Sequence, residues 1–377
     1  MEKKKEKRLL ALDVMRGITI AAMILVNNPG TWSDIYSPLR HAEWNGLTPT
    51  DLVFPFFMFI MGVSTYMSLR RYGFQLSWSA VSKILRRTVV IFMIGLGLAW
   101  TGLLVDGMAS GKALADAALS FGDIRILGVL PRLALAYGIG ALLALCCGTR
   151  HLAAVTVGIL IAYALILILG NGYEFSERNI IATIDRIVLG ESHMYTDRIG
   201  DVAMRFDPEG LLSTLPSVAH VLIGFMAGRM LMGEKDNNRR VLMLMIMGTC
   251  LTFSGFLLDY GFPINKKVWS PTFVLTTCGL AAQTLGLLIW LIDVRGKAGW
   301  CRVFEVFGAN PLALYVFATL LAILAGNTVQ WDIMDGCLIP LCMGNLRLAS
   351  LLYALLFVMV TWLPGLYLFW RRIYIKI

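Results

Sequence analysis

Residues 40–62, RHAEWNGLTPTDLVFPFFMFIMG, join a polar turn to an apolar run that enters a membrane. The turn carries His41, Trp44 and Asn45, and His41 is one of only four histidines in the chain. Polar and titratable side chains are costly to desolvate at the mouth of a membrane span, so they mark a site by default. The apolar half of the segment decides the fold, and the polar half is where chemistry is expected.

Working outward, the same apolar character recurs along all 377 residues. Hydrophobic residues make up 58% of the chain, and the mean hydropathy is +0.71. A soluble domain has about 45–50% apolar residues even with glycine counted. Ten stretches approach the ~20 residues that a helix needs to cross the hydrocarbon core. They lie at about 9–28, 48–70, 84–105, 125–147, 152–170, 209–232, 241–260, 270–292, 303–325 and 347–370. The expectation is an all-α, polytopic integral membrane protein, with residues 1–377 as one domain. Its two long outer loops fall at about 29–47 and 171–208, and the second holds a short amphipathic piece, NIIATIDRIVLG.

Lys and Arg set the topology. They cluster at 3–8, 70–87, 235–240, 295–302 and 371–376, all on one side of a ten-span chain. Both termini are therefore expected in the cytoplasm, with the His41 turn on the outer side. The same bias accounts for the net charge of +9 without nucleic acid as a partner. The N-terminus looks superficially like a signal peptide. The apolar run behind it carries Asp13 and Arg16 and ends at VNNPG, so it reads as a retained first span. The seven cysteines show no CxxC spacing and no disulfide framework.

Three outer helix starts share one design, a capping residue before proline: Thr48-Pro49, Asp207-Pro208 and Ser270-Pro271. Proline at the first helical position loses no hydrogen bond, and the helix end is partly positive. Such ends suit carboxylates, phosphates or developing oxyanions.

Each polar residue has a plain and a chemical reading. His41 is an interfacial side chain bonded to backbone, or a general base or acyl carrier. Asp51 closes a capping box with Thr48, or orients His41, and the two are compatible. Asn27 ends the first helix, or donates to an oxyanion or holds substrate. Asp13 and Arg16 form an i, i+3 pair, or Arg16 faces a cavity and meets an anion. Arg132, after Pro131 in the fourth span, needs a partner or a cavity. Lys266, Lys267 and Trp269 make a basic-aromatic cluster of the kind found in interfacial belts. Asn310-Pro311 breaks the ninth span and frees backbone carbonyls there. His220 reads as buried packing, and His151 and His193 as turn and loop residues. No GxSxG, P-loop, HExxH or Rossmann fingerprint occurs, and no metal is expected.

The stretches RLLALDVMRGITIAAMILVNN (8–28) and HAEWNGLTPTDLVFPFFMFIMG (41–62) resemble the heparan-α-glucosaminide N-acetyltransferase family and its bacterial relatives. So do GVLPRLALAYGIGAL (128–142), FDPEGLLSTLPSVAHVLIGFMAG (206–228), INKKVWSPTFVLTTCGLA (264–281) and NPLALYV (310–316). The resemblance implies a transmembrane acyltransferase that moves an acetyl group from cytosolic acetyl-CoA to an amino sugar across the membrane. It makes His41 the catalytic residue, with Asn27 and Asp51 in the family's V-N and D-L-V-x-P positions. It makes Arg16, Arg132, Lys266, Lys267 and Trp269 candidates for the CoA, although Lys266 and Lys267 lie on the side away from the cytosol. Trp44, Asn45 and Glu209 are candidates for the acceptor. The resemblance also carries an expectation that the extra N-terminal lumenal region and additional span of the lysosomal protein are lacking. That points to a bacterial inner-membrane version rather than a heparan substrate. A homodimer is compatible with the family, and no span presents a GxxxG face that locates an interface. Direct transfer and an acetyl-histidine route both stay open. Two other readings compete: a secondary transporter of amino sugars or cell-wall fragments, which has no reason to bind CoA, and a polysaccharide O-acetyltransferase.

Overall fold

The computed structural model describes residues 9–375, and it is built almost entirely from helices that follow the predicted spans. In chain order, α1 (Leu10–Asn27) leads through the polar turn to α2 (Val53–Arg70) and the long α3 (Trp78–Ala109), with a short α4 (Leu114–Ala118) after it. Next come α5 (Val129–Cys146) and α6 (Gly148–Leu169). The outer loop then holds α7 (Ile180–Leu189) and an antiparallel hairpin, β1 (Thr196–Ile199) and β2 (Val202–Arg205). The second half is α8 (Thr214–Gly233), α9 (Asn237–Asp259), α10 (Pro271–Leu288), α11 (Cys301–Ala309), α12 (Pro311–Ile333), α13 (Ile339–Leu341) and α14 (Leu346–Trp370).

Among the described residues nine helices are long and apolar enough to cross a membrane, and α11 with α12 makes a tenth span, bent by 83°. The break falls at Asn310-Pro311, where the missing proline N–H ends helix α11. Contacts at the two ends show that α12 traverses the bundle. At one end, Arg16 Nη1 lies 3.4 Å from Gly308 O, and Asn310 Nδ2 donates to Ile373 O at 2.8 Å. At the other, Gln330 Nε2 donates to Gly30 O at 2.8 Å, and Gly30 N donates to Ser350 O at 3.2 Å. Helices α1, α12 and α14 thus run between the same two faces, and the two described ends of the chain meet on one of them. Within α12 the path turns again at Gly326, whose φ of 60° costs a glycine little.

The core pair is α2 against α8. Gly62 and Gly224 face each other so closely that an added methyl at Gly62 meets Val221 O, and one at Gly224 meets Phe59 O. This approach is what small residues allow between membrane helices, where packing replaces the hydrophobic driving force. It also fixes the start of α2, and with it the polar turn.

Two elements depart from the spacing. The sixth span begins at Thr214, not near 209, because Asp207 does not cap it. The Asp207 carboxylate is taken by Arg125, so residues 208–213 form a separate turn. The hairpin β1–β2 was not predicted, since its TDRI and VAMR segments carry too little alternation to read as strands.

Candidate active site

The site grows from the turn at 40–52. Asp51 sits in the short 3₁₀ turn Pro49–Leu52 that opens α2. Its Oδ2 accepts the N–H of Ala42 at 3.0 Å and of Thr48 at 3.1 Å, and the Thr48 hydroxyl lies 2.9 Å away. These donors fold the turn back on itself. Asp51 Oδ1 is left for His41 Nδ1, at 2.6 Å. A carboxylate only accepts, so Nδ1 carries a proton, and in the neutral ring the lone pair is on Nε2. Side-chain exposure is 1% for Asp51 and 42% for His41, which makes the carboxylate a fixed orienter and leaves the ring reachable. The capping and orienting readings of Asp51 both hold in one side chain.

A second segment arrives from far along the chain. Gly46 N donates to Ile264 O at 2.7 Å, and Asn265 Nδ2 donates to Asn45 Oδ1 at 3.1 Å. Asn265 Oδ1 in turn accepts from Val268 N at 3.0 Å, and Ser270 caps α10 by accepting from Phe273 N at 3.2 Å. This latch places Lys266 Nζ 2.9 Å from His41 Nδ1 and 3.3 Å from Asp51 Oδ1. The imidazole N–H and the ammonium share one carboxylate oxygen. Burial pushes the Lys266 ammonium below its usual pKa, while Asp51 and Glu209 work to hold it up.

His41 faces a cavity of about 80 Å³ that Asn27, Thr50, Glu209 and Lys266 also line, with Met23, Val26, Val53, Phe54 and Val129 as its apolar wall. The Asn27 amide makes no hydrogen bond to protein among the described residues, whereas Asn28 Nδ2 is spent on Ile24 O at 2.7 Å. A separate apolar cavity of about 10 Å³ shares Met23, Phe54 and Val129 and lies between α1, α2, α5 and α12, beside Ile20, Leu133 and Tyr315.

Glu209 is held from behind. Arg125 bonds Asp207 through Nε at 2.9 Å and Nη2 at 2.6 Å, and the same Nη2 reaches Glu209 Oε2 at 2.5 Å. Burial works to raise the Glu209 carboxyl, and Arg125, Arg132 and Lys266 outweigh it, so its pKa falls below the usual range. Asp185, fully buried on α7, accepts from Leu211 N at 2.9 Å and supports the same turn. Burial raises its pKa to about 6.

The structure brings His41, Asn27, Glu209 and Lys266 around one cavity, with Asp51 buried behind His41, and spreads the other predicted residues elsewhere. Arg132 is fully buried: Nε donates to Ser217 Oγ at 2.8 Å, Nη1 to Pro208 O at 2.5 Å, and Nη2 to Ser213 O. Its guanidinium stacks 4.1 Å from the ring centroid of Trp269, which is also buried. Lys267 turns outward to Asp197 on β1, at 2.6 Å. Arg16 lies at the opposite end of the bundle, paired with Asp13 at 2.9 Å and bonded to Ser64 Oγ at 2.9 Å. Trp44 donates to Tyr173 O at 2.8 Å and packs edge-on against Phe175 and Phe206, fastening the outer loop. Asn45 serves the latch. Arg125 and Asp185 were missed by sequence reasoning. The signal for Arg125 was available: two acids at 207 and 209 with no cation assigned to them.

An oriented histidine–aspartate pair over a cavity, at one face of ten membrane spans, defines an integral membrane protein with an enzyme-like centre. The chain belongs to the family described as heparan-alpha-glucosaminide N-acetyltransferase, catalytic, whose sequence model matches residues 8–255. It is therefore a member of an acyltransferase family. It is 28% identical over 365 residues to the Homo sapiens protein named heparan-alpha-glucosaminide N-acetyltransferase, a match over 82% of this chain and 52% of that protein. The Mus musculus protein of the same name is 29% identical over 364 residues, covering 82% of this chain and 53% of its own length. The chain spans about half the length of the curated relatives it matches. The matched range contains the positions of Asn27, His41, Asp51, Arg125 and Glu209 and ends before Lys266.

Proposed function

We propose that this protein transfers the acetyl group of acetyl-CoA to the amine of a glucosamine-type sugar, at the membrane face where His41 stands. The observation that carries the reading is the His41–Asp51 pair: Nδ1 is tied at 2.6 Å, so Nε2 is the nitrogen left for the reaction. The neutral sugar amine donates an N–H to Glu209, whose charge Arg125 sustains. As the amine nitrogen bonds the thioester carbonyl carbon, Nε2 takes the amine proton. The C–S bond then breaks, and the proton passes to the departing thiolate. Asp51 holds the imidazolium that forms in between. The free Asn27 amide donates to the carbonyl oxygen as charge develops on it. The donor's uncharged arm reaches the His41 cavity from the opposite face.

That opposite face carries Arg70, Arg71, Arg239, Arg240, Arg302 and Arg372, which supports a cytoplasmic placement for both chain ends. In a bacterium this is the inner membrane. The acceptor then lies outside the cytoplasm, in keeping with an amine-bearing envelope glycan.

Labelled acetyl-CoA and glucosamine on opposite sides of sealed proteoliposomes test the reading. Label should appear in the sugar with wild-type protein and not with His41→Ala. Acetyl-CoA should also raise the melting temperature of both proteins by mass action. Transfer by the variant, or no stabilisation of either protein at millimolar acetyl-CoA, overturns it.

A further inference from the structure

Helix α11 lies across the end of the bundle away from His41, at 83° to α12, and beside it α14 reaches the same boundary. The two are fixed to each other. Trp362 Nε1 donates to Val303 O at 3.1 Å, and the Asn310 side chain bonds the backbone of Ile373 at 2.8 Å and Ile375 at 2.8 Å. Between them opens a groove of about 600 Å³ lined by Arg302, Leu363, Leu366, Tyr367, Trp370 and Arg372.

The groove is graded along its length. At its mouth stand Arg302 and Arg372, whose guanidiniums have no acidic partner among the described residues. Next come Trp370 and Tyr367, 75% and 54% exposed, the residue types that aromatic belts place at headgroup level. Leu363 lies about 10 Å deeper, seven residues back along the helix. Cation, then amphipathic ring, then aliphatic wall is the order of a phospholipid read from phosphate to acyl chain. A second basic pocket on this face, with Arg150 and Arg229, lacks that order: Arg229 Nη1 is spent on Thr149 O at 2.7 Å, and Glu234 brings a carboxylate into the lining.

We infer that the α11–α14 groove is a binding site for one anionic phospholipid, its phosphate between Arg302 and Arg372 and an acyl chain along Leu363 and Leu366. Basic pockets between membrane helices select anionic headgroups, at roughly 1 kcal/mol per arginine near the surface. The site lies at the far end of the molecule from the proposed acetyl transfer and does not depend on it.

Native mass spectrometry of the detergent-purified protein tests this, with phosphatidylglycerol, phosphatidylcholine and glycerol phosphate as probes. Wild type should hold one phosphatidylglycerol through delipidation. The Arg302→Ala/Arg372→Ala variant should bind it about 10- to 30-fold more weakly, and Arg150→Ala should bind it as wild type does. Both variants alter exposed positions, and a thermal melt in phosphatidylcholine checks that they fold. Equal retention of phosphatidylcholine, equal binding by the double variant, or equally tight binding of glycerol phosphate each overturns the assignment.

Discussion

The two ends of the bundle use the same residue types in opposite ways. At the His41 end every cation of the site is already committed to a protein acceptor: Lys266 to Asp51, Lys267 to Asp197, Arg125 to Asp207 and Glu209, and Arg132 to backbone carbonyls. At the other end Arg371 rests on the rings of Tyr367 and Trp370, and Arg302 and Arg372 face a groove. Buried charge needs partners, and a partnered charge is pre-oriented. Charge at a water boundary needs none and serves topology and surface binding. A lysine or arginine in this chain therefore tells little until its acceptor is known.

The comparison breaks first at Asp51. Asp51→Asn keeps the shape but removes the charge shared by His41 and Lys266. Acetyl transfer is expected to fall by about 10²- to 10⁴-fold, measured with labelled acetyl-CoA in proteoliposomes. Near-normal turnover would reduce Asp51 to a helix cap. Arg132→Met comes next, because it removes three guanidinium hydrogen bonds at once and leaves Pro208 O only the Ser213 hydroxyl at 3.4 Å and Ser213 O only the Ser217 hydroxyl at 3.1 Å. The expected cost is about 3 kcal/mol or more, read as a lowered melting temperature, with acetyl-CoA affinity of the folded fraction kept. A weakened affinity at an unchanged melting temperature would instead make Arg132 a donor contact.

Asp185 sharpens the contrast through pH. Its folded pKa, about 6, lies above the ordinary carboxyl value of 3.8. The folded state holds the proton more tightly, so this group's contribution is fully present below pH 3.8 and is lost as pH rises through about 6. In melting curves between pH 4 and pH 7, Asp185→Asn should flatten that part of the slope, and an unchanged slope would assign it to other groups. A smaller effect is expected from Gly224→Ala, where the added methyl meets Phe59 O across the α2–α8 contact. Overpacking of this kind costs about 1–3 kcal/mol, and chemical denaturation in mild detergent would measure it. An unaltered midpoint would mean that α2 and α8 separate without loss.

Much of the fold was legible because hydropathy and proline report locally. The ten spans, the break at Asn310-Pro311 and the amphipathic α7 follow from runs and spacings within one helix. The pairing of Asp13 with Arg16 and of Thr48 with Asp51 did too, since three residues apart on a helical turn means contact. His41 stood out through its rarity and its neighbours. What stayed hidden depends on partners distant in sequence. Lys266 reads as an interfacial cation until the Asn45–Asn265 latch sets it beside His41. Trp44 and Lys267 look like site residues until the outer loop, through Tyr173 and Asp197, occupies them. Asp207 looks like a cap until Arg125 takes its carboxylate.

The latch also has a meaning in time. His41 and Asp51 leave the ribosome some two hundred residues before Lys266, and the buried carboxylate must wait that long for its ammonium. The His41–Asp51–Lys266 cluster is therefore complete only when α9 and α10 have entered the membrane and the 264–270 segment has docked. A nascent chain halted after its sixth span carries the histidine in an unfinished setting, so the proposed activity would arrive with the completed bundle and not with the histidine.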